Sequence, residues 1–135
     1  MNKTLALLCL SALAAAPLSV AAATPKTYTV AIDLDIPAVT TPHGKTLGFA
    51  PMETDVHVGD HVRFINVDDE PHTATAAGVQ DFKPHGTRLS QPWSTGSLVQ
   101  EQSSGLFLAD KAGVYHYKCL YHFSKGQQAV IVVAP

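Results

Sequence analysis

Cysteine is nearly absent from this sequence: there are two in 135 residues, Cys9 and Cys119. The first lies in an apolar stretch, Thr4 to Val20, which follows Met1-Asn2-Lys3 and ends in Ala21-Ala22-Ala23. A short positive start, an apolar run and a small-residue end make a secretory signal peptide, with cleavage expected after Ala23. Pro17 and Ser19 interrupt the run, which makes a retained membrane helix the poorer reading. Cys9 falls too early to be the first residue of a processed lipoprotein. Removing residues 1–23 leaves Cys119 alone, which rules out an internal disulfide and a disulfide-stapled scaffold. A single thiol sent to a periplasmic or otherwise secreted, oxidising location is buried and inert, paired with another chain, or bound to a metal.

Charge is sparse as well, with nine Lys and Arg against eleven Asp and Glu and a net charge of −2. The signal carries one charge, Lys3, so the mature chain stands at −3. Such mild acidity offers no footprint for nucleic acid and names no partner. Residues 24–135, about 112 in number, suit a single domain with one core. Methionine is scarce too: after Met1 there is only Met52. No repeat, no low-complexity tract and no helical period appears beyond the signal.

What the chain does contain is short alternating runs of Val, Ile, Tyr and Phe punctuated by Gly, Pro and Asp, the pattern of an all-β domain. Strands are expected over Tyr28–Leu34, Thr54–Val58, His61–Val67, His72–Ala76, Ser97–Gln100, Gly105–Ala109, Val114–Cys119 and Ala129–Val133. Gly59-Asp60 suits a tight hairpin turn between the second and third. Ala129–Val133 is apolar on both faces, as a strand inside a sandwich is. Pro37–Pro51 and Gly78–Gly96 read as loops, and the second is long enough to carry a short helix or to cover something.

The lone thiol has a histidine three residues later, in Cys119-Leu120-Tyr121-His122, between two expected strands. That spacing lets a thiolate and an imidazole converge on one metal ion. A third donor is available at His72, just after the third strand, in Asn66-Val67-Asp68-Asp69-Glu70-Pro71-His72. Two imidazoles and a thiolate with a weak or missing axial group form the ligand set of blue-copper sites. Zinc accepts the same donors, although a structural zinc site brings four strong ligands.

Two blocks, Phe49–Ala76 and Leu106–Val133, together resemble the small cupredoxins, in spacing closest to amicyanin, plastocyanin and pseudoazurin. Val58-Gly59-Asp60, Val62–Asn66 and Pro71-His72 carry the first block of the resemblance; Ala112–Cys119 and His122 carry the second. The resemblance implies an eight-stranded Greek-key β-sandwich with copper among the loops at one end. It implies one copper ion held by His72, Cys119 and His122, with Asn66 bracing the two ligand loops. The usual partner of that asparagine is a Ser or Thr after the cysteine, and here that position is Leu120, which predicts a weaker or absent brace. Tyr121 stands where a proline is common and keeps an N–H that can reach the sulfur.

The axial position departs furthest, since members of the family usually place a Met a few residues after the histidine. Aligned on a plastocyanin-like loop, that position falls on Gln127, whose hard amide oxygen favours Cu(II) and lowers the potential. Aligned instead on Lys125-Gly126, no side-chain ligand remains and Ser124 or Lys125 lies nearby. Gln127 is the expected axial donor; an empty position, the Pro71 carbonyl, Met52 and Glu53 are the alternatives.

His43, His57, His61, His85 and His116 are expected in solvent, with His85 and His43 as candidates for a second copper site. Asp68-Asp69-Glu70 reads as a solvated acidic turn. Tyr121 and Phe123 either pack inward or form an apolar rim around His122. The implied role is a one-electron carrier, monomeric and not an enzyme, whose redox partner docks near His122. A copper-binding or copper-tolerance protein that buffers or delivers the metal is the alternative. The missing Met, the altered residues after Cys119 and the surplus of histidine keep that alternative open.

Overall fold

Alternation dictates the strands, and most of them form where the pattern is strongest. The computed structural model describes residues 12–19 and 21–135. The charged start, Cys9 and part of the apolar stretch thus lie outside the described residues. No helix among the described residues is long and apolar enough to cross a membrane.

Among the described residues twelve short strands follow one another: β1 (Thr27–Ile32), β2 (Val39–Thr41), β3 (Gly44–Thr46), β4 (Phe49–Ala50), β5 (Glu53–His57), β6 (His61–Asn66), β7 (Thr75–Ala76), β8 (Pro84–His85), β9 (Ser94–Thr95), β10 (Phe107–Leu108), β11 (Gly113–Lys118) and β12 (Gln128–Ala134). One sheet has the order β10-β6-β1-β4, the other β5-β12-β11-β7-β9-β8, and β2-β3 is a separate hairpin. The β1–β6 and β5–β12 ladders are parallel, and the β11–β12 ladder is antiparallel. This is the all-β sandwich that the alternation predicts.

The two sheets close on an aromatic core. Phe64 stacks on Trp93 with centroids 5.7 Å apart, and Phe49 meets the Tyr117 ring edge-on at 4.8 Å. Trp93, Phe64 and Phe49 are fully buried. In β12 Ala129, Val130, Ile131 and Val133 are all buried, as expected of an interior strand, and the β3 end of the hairpin packs over its outer face. The long segment 78–96 has no helix; it delivers Leu89 and Trp93 into the core and adds β8 and β9 to the sheet.

Four local expectations change. Pro37–Pro51 is not simply loop, because it holds β2, β3 and β4. Strand pairing at His72–Ala76 shrinks to β7, and Ser97–Gln100 is not a strand: Leu98 exchanges backbone hydrogen bonds only with His72, at 3.1 and 2.8 Å. Gly59-Asp60 does not close a hairpin, since β5 and β6 belong to different sheets.

Asp60 is what holds that crossing. Its carboxylate accepts the His57 and Lys26 backbone N–H groups, both at 2.9 Å, and so ties the end of β5 to the approach to β1. These bonds hold its carboxyl below the usual aspartate range. A depressed folded-state pKa gives stability that is present above about pH 4 and is lost as pH falls below it. Asp60→Ala is expected to cost about 1–3 kcal/mol in urea unfolding at neutral pH. The difference from the parent should narrow in acid; an equal difference at both pH values would sink this reading.

Candidate metal centre

Four segments meet at one end of the sandwich. β6 ends at Asn66, and the turn after it leads to His72, held in place by its two backbone bonds with Leu98. β11 ends at Lys118, so Cys119 is the first residue of the next loop, which carries His122 and a 3-10 turn at Phe123–Lys125 before Gln127 and β12. The base of this loop is closed by Cys119 N–H donating to the Gln127 carbonyl at 3.0 Å. Gly48, between β3 and β4, forms the fourth side.

The side chains of His72, Cys119 and His122 bring their ligand atoms within 4.8 Å of one another, and no other group of three or more such residues occurs among the described residues. His72 Nδ1 lies 3.1 Å from His122 Nδ1 and 3.6 Å from Cys119 Sγ, which is 3.7 Å from His122 Nδ1. Gln127 is fully buried and its Oε1 lies 3.0 Å from His72 Nδ1. Its amide is oriented by chemistry: the Gly48 carbonyl is only an acceptor, so Nε2 donates to it, at 3.2 Å, and Oε1 is left facing the imidazole. Gln127 thus reaches the cluster, whereas Glu53, one of the alternatives, is engaged by His43 at 3.1 Å.

The distal imidazole nitrogens are also occupied. Asp68 Oδ2 lies 2.7 Å from His72 Nε2, and Glu70 Oε2 lies 2.8 Å from His122 Nε2. The acidic turn is therefore not merely solvated, because two of its three carboxylates reach into the cluster. An ionised carboxylate only accepts, so each Nε2 carries a hydrogen, and in the neutral ring that a metal requires it is Nδ1 that offers its lone pair to the centre.

Burial pushes the Cys119 thiol up, but hydrogen bonding from His72, the Thr73 N–H and His122 outweighs it and lowers the pKa to about 7. For His72 burial works against the charged form, yet Cys119 and Asp68 prevail and raise its pKa. The two shifts are one interaction seen from both sides: the imidazole favours the thiolate, and the thiolate favours charge on the imidazole.

Asn66 does not make the brace between the ligand loops. Asn66 Nδ2 donates to the carbonyls of Glu70 and Leu98, at 2.7 and 2.8 Å, so it shapes the acidic turn and does not touch the cysteine loop. Thr73 ties the loops together instead. Its N–H donates to Cys119 Sγ at 3.4 Å, and its Oγ1 accepts the Leu120 N–H at 2.9 Å. Thr73, not Tyr121, is the donor from the facing loop to the sulfur. A threonine directly after a candidate ligand was the only available signal.

His43 and His85 do not come together. His43 pairs with Glu53 of β5, at one edge of the six-stranded sheet, while His85 is in β8 at the opposite edge and bonds Asp81 at 2.7 Å. Tyr121 and Phe123 are exposed on either side of His122, and Phe82 from the long segment lies 4.5 Å from the Tyr121 ring.

No family model matches the sequence, and no curated protein matches it. Solved structures do. A purple cupredoxin from Nitrosopumilus maritimus superposes with a TM-score of 0.54 at 21% identity, covering 78% of this chain and 98% of that one. The fold is that of a cupredoxin. A reduced tryptophan-to-tyrosine variant of amicyanin gives a TM-score of 0.52 at 23% identity, over 80% of this chain and 82% of the other. A methionine-to-alanine variant of amicyanin, described as Cu(I), gives 0.50 at 22%, over 78% and 82%. In this cupredoxin fold the converging side chains occupy the loops between β6 and β7 and between β11 and β12.

Proposed function

We propose that the protein binds one copper ion through His72 Nδ1, Cys119 Sγ and His122 Nδ1, with Gln127 Oε1 as a weak axial donor, and works outside the cytoplasm as a one-electron carrier. The observation that carries this is the convergence of four lone-pair donors. With both Nε2 hydrogens committed to carboxylates, the two Nδ1 atoms, the sulfur and the amide oxygen face one another across contacts of 3.0–3.7 Å, an arrangement that a metal cation can satisfy through all four donors at once. Two imidazoles, a thiolate and a weak neutral oxygen suit copper, whereas structural zinc takes four strong ligands. Bound there, copper supplies a Cu(II)/Cu(I) couple.

The chain contributes rigidity and enclosure. His72, Cys119 and Gln127 are fully buried, and both ligand loops are tied by Thr73, so the donors keep their places in either oxidation state. A delivery protein must open its site to a recipient, and this enclosure favours the carrier role over buffering or delivery. Only His122 approaches the surface, with a side chain 12% exposed between Tyr121 and Phe123. That apolar rim is the proposed docking surface for a redox partner.

The optical and EPR spectra of the copper-loaded protein, taken with its reduction potential, test the proposal. Intense thiolate-to-copper absorption with reversible cycling is expected; release of copper on reduction would overturn the carrier role. Gln127→Met exchanges a hard oxygen for a soft thioether and is expected to raise the potential. An unchanged potential in that variant would remove Gln127 from the coordination sphere.

A further inference from the structure

The acidic turn after β6 has more than a local role. Asn66 accepts the Asp68 N–H through its side-chain oxygen at 2.9 Å and donates to the Glu70 carbonyl at 2.7 Å, which folds residues 66–70 around one buried amide. Two carboxylates are thereby presented in a fixed relation, two residues apart. One reaches the first imidazole of the cluster and the other reaches the second. Asp68 is anchored further by the Leu34 N–H, which donates to Oδ2 at 3.0 Å, just past the end of β1.

We infer that Asp68 and Glu70 are paired positioning residues: they hold His72 and His122 in the tautomer that turns Nδ1 inward, and their charge biases the bound metal toward its oxidised state. This deepens the copper reading and rests on it for the second half alone. The physical case is simple. A carboxylate that accepts from the distal N–H of a ligating imidazole fixes the ring and makes it a stronger donor. It also adds a negative charge whose attraction is greater for Cu(II) than for Cu(I). Most metal-bound imidazoles have some partner of this kind; here one five-residue turn supplies carboxylates to both rings.

The two are not equivalent. The Asp68 side chain is 14% exposed and faces a fully buried ring, whereas the Glu70 side chain is 54% exposed. Water and salt therefore screen Glu70 far more than Asp68. Asp68 is the larger lever, and the effect of Glu70 should depend on ionic strength.

The first measurement needs no metal. In the metal-free protein at mildly alkaline pH, nitrogen NMR of the imidazoles is expected to show the Nε2–H tautomer for both His72 and His122. The opposite tautomer in either ring overturns the inference whether or not copper binds. With copper bound, Asp68→Asn is expected to shift the Cu(II)/Cu(I) equilibrium toward Cu(I) by at least about tenfold. For a one-electron couple that is about 59 mV upward. Glu70→Gln should shift it the same way by about twofold to fivefold, the range of an exposed charge pair, and the shift should fade as salt is added. Unchanged potentials in both variants overturn the charge bias. Should Asp68→Asn not fold, the exposed Glu70→Gln carries that arm alone. Should copper not bind at all, the copper reading fails while the tautomer measurement still decides the positioning role.

Discussion

Replacing Cys119 with Ser is expected to abolish the intense thiolate-to-copper absorption and to weaken copper binding by more than about 100-fold. Changes one shell away from a metal already cost about 10–100-fold, and here the single soft, anionic donor is lost. With its pKa lowered to about 7, the thiol is roughly half ionised near neutrality. A serine hydroxyl is neutral there and hard. Two imidazoles and an amide oxygen would remain, a set that still binds Cu(II) but holds Cu(I) poorly, so any residual copper should show a spectrum without sulfur character. The metal-free fold should survive the change. Cys119 makes no disulfide, and a hydroxyl in its place can bond with the neighbouring His72 Nδ1. Copper titration of the variant, alongside thermal unfolding of its metal-free form, checks both halves. Persistence of the absorption would dismiss Cys119 as the ligand.

Gly48→Ala should destabilise the domain and disturb the proposed axial position with a single methyl. Gly48 has φ of +78°, a conformation an alanine adopts at a cost of about 1–2 kcal/mol. A β-carbon built there falls 2.6 Å from Gln127 Nε2 and 2.7 Å from its Cγ, so the glutamine cannot stay. Overpacking a full core adds about 1–3 kcal/mol, which brings the expected loss to about 2–5 kcal/mol in urea unfolding. Because the Gly48 carbonyl also turns the Gln127 amide, the variant should lose the axial oxygen and give a copper spectrum that tracks Gln127→Ala. Combining Gly48→Ala with Gln127→Ala should recover the packing part of the loss and leave the backbone part. A double variant no more stable than Gly48→Ala alone would show that the clash is relieved in some other way.

What was legible in the sequence was what lies close together along it. Cys119 and His122 share one loop, and an odd thiol in a chain read as exported draws attention by itself. His72 could be read from its place after an alternating strand. Thr73, Gly48 and the two carboxylates could not, because their roles depend on contacts across the sandwich: Thr73 meets a loop 46 residues away and Gly48 meets Gln127 79 residues away. Acidic residues beside a turn ordinarily face water, and nothing in Asp68-Asp69-Glu70 distinguishes carboxylates that reach imidazoles from one that does not. The strand expected at His72–Ala76 pairs as a ladder only at Thr75–Ala76, while His72 is held by a single bridge to Leu98, a long-range partner that local propensity does not reveal. Trp93 was hidden in a segment whose prolines and glycines read as loop, although its indole fills the centre of the core.

The parallel ladders set a kinetic order on these events. β1 pairs Thr27 with His61, and β5 pairs Glu53 with Val130, so neither ladder forms until a long intervening stretch has been drawn back on itself. Domains dominated by such distant pairings fold in milliseconds to seconds, slowly for their size. Until β12 docks between β5 and β11, nothing closes the base of the loop that begins at Cys119. During that interval the chain carries one reachable thiol with no partner of its own, in surroundings that oxidise thiols if the signal acts as read. Sheet closure is then a race against crosslinking to a second chain, and the same pairing that shapes the metal loop decides how long the race lasts.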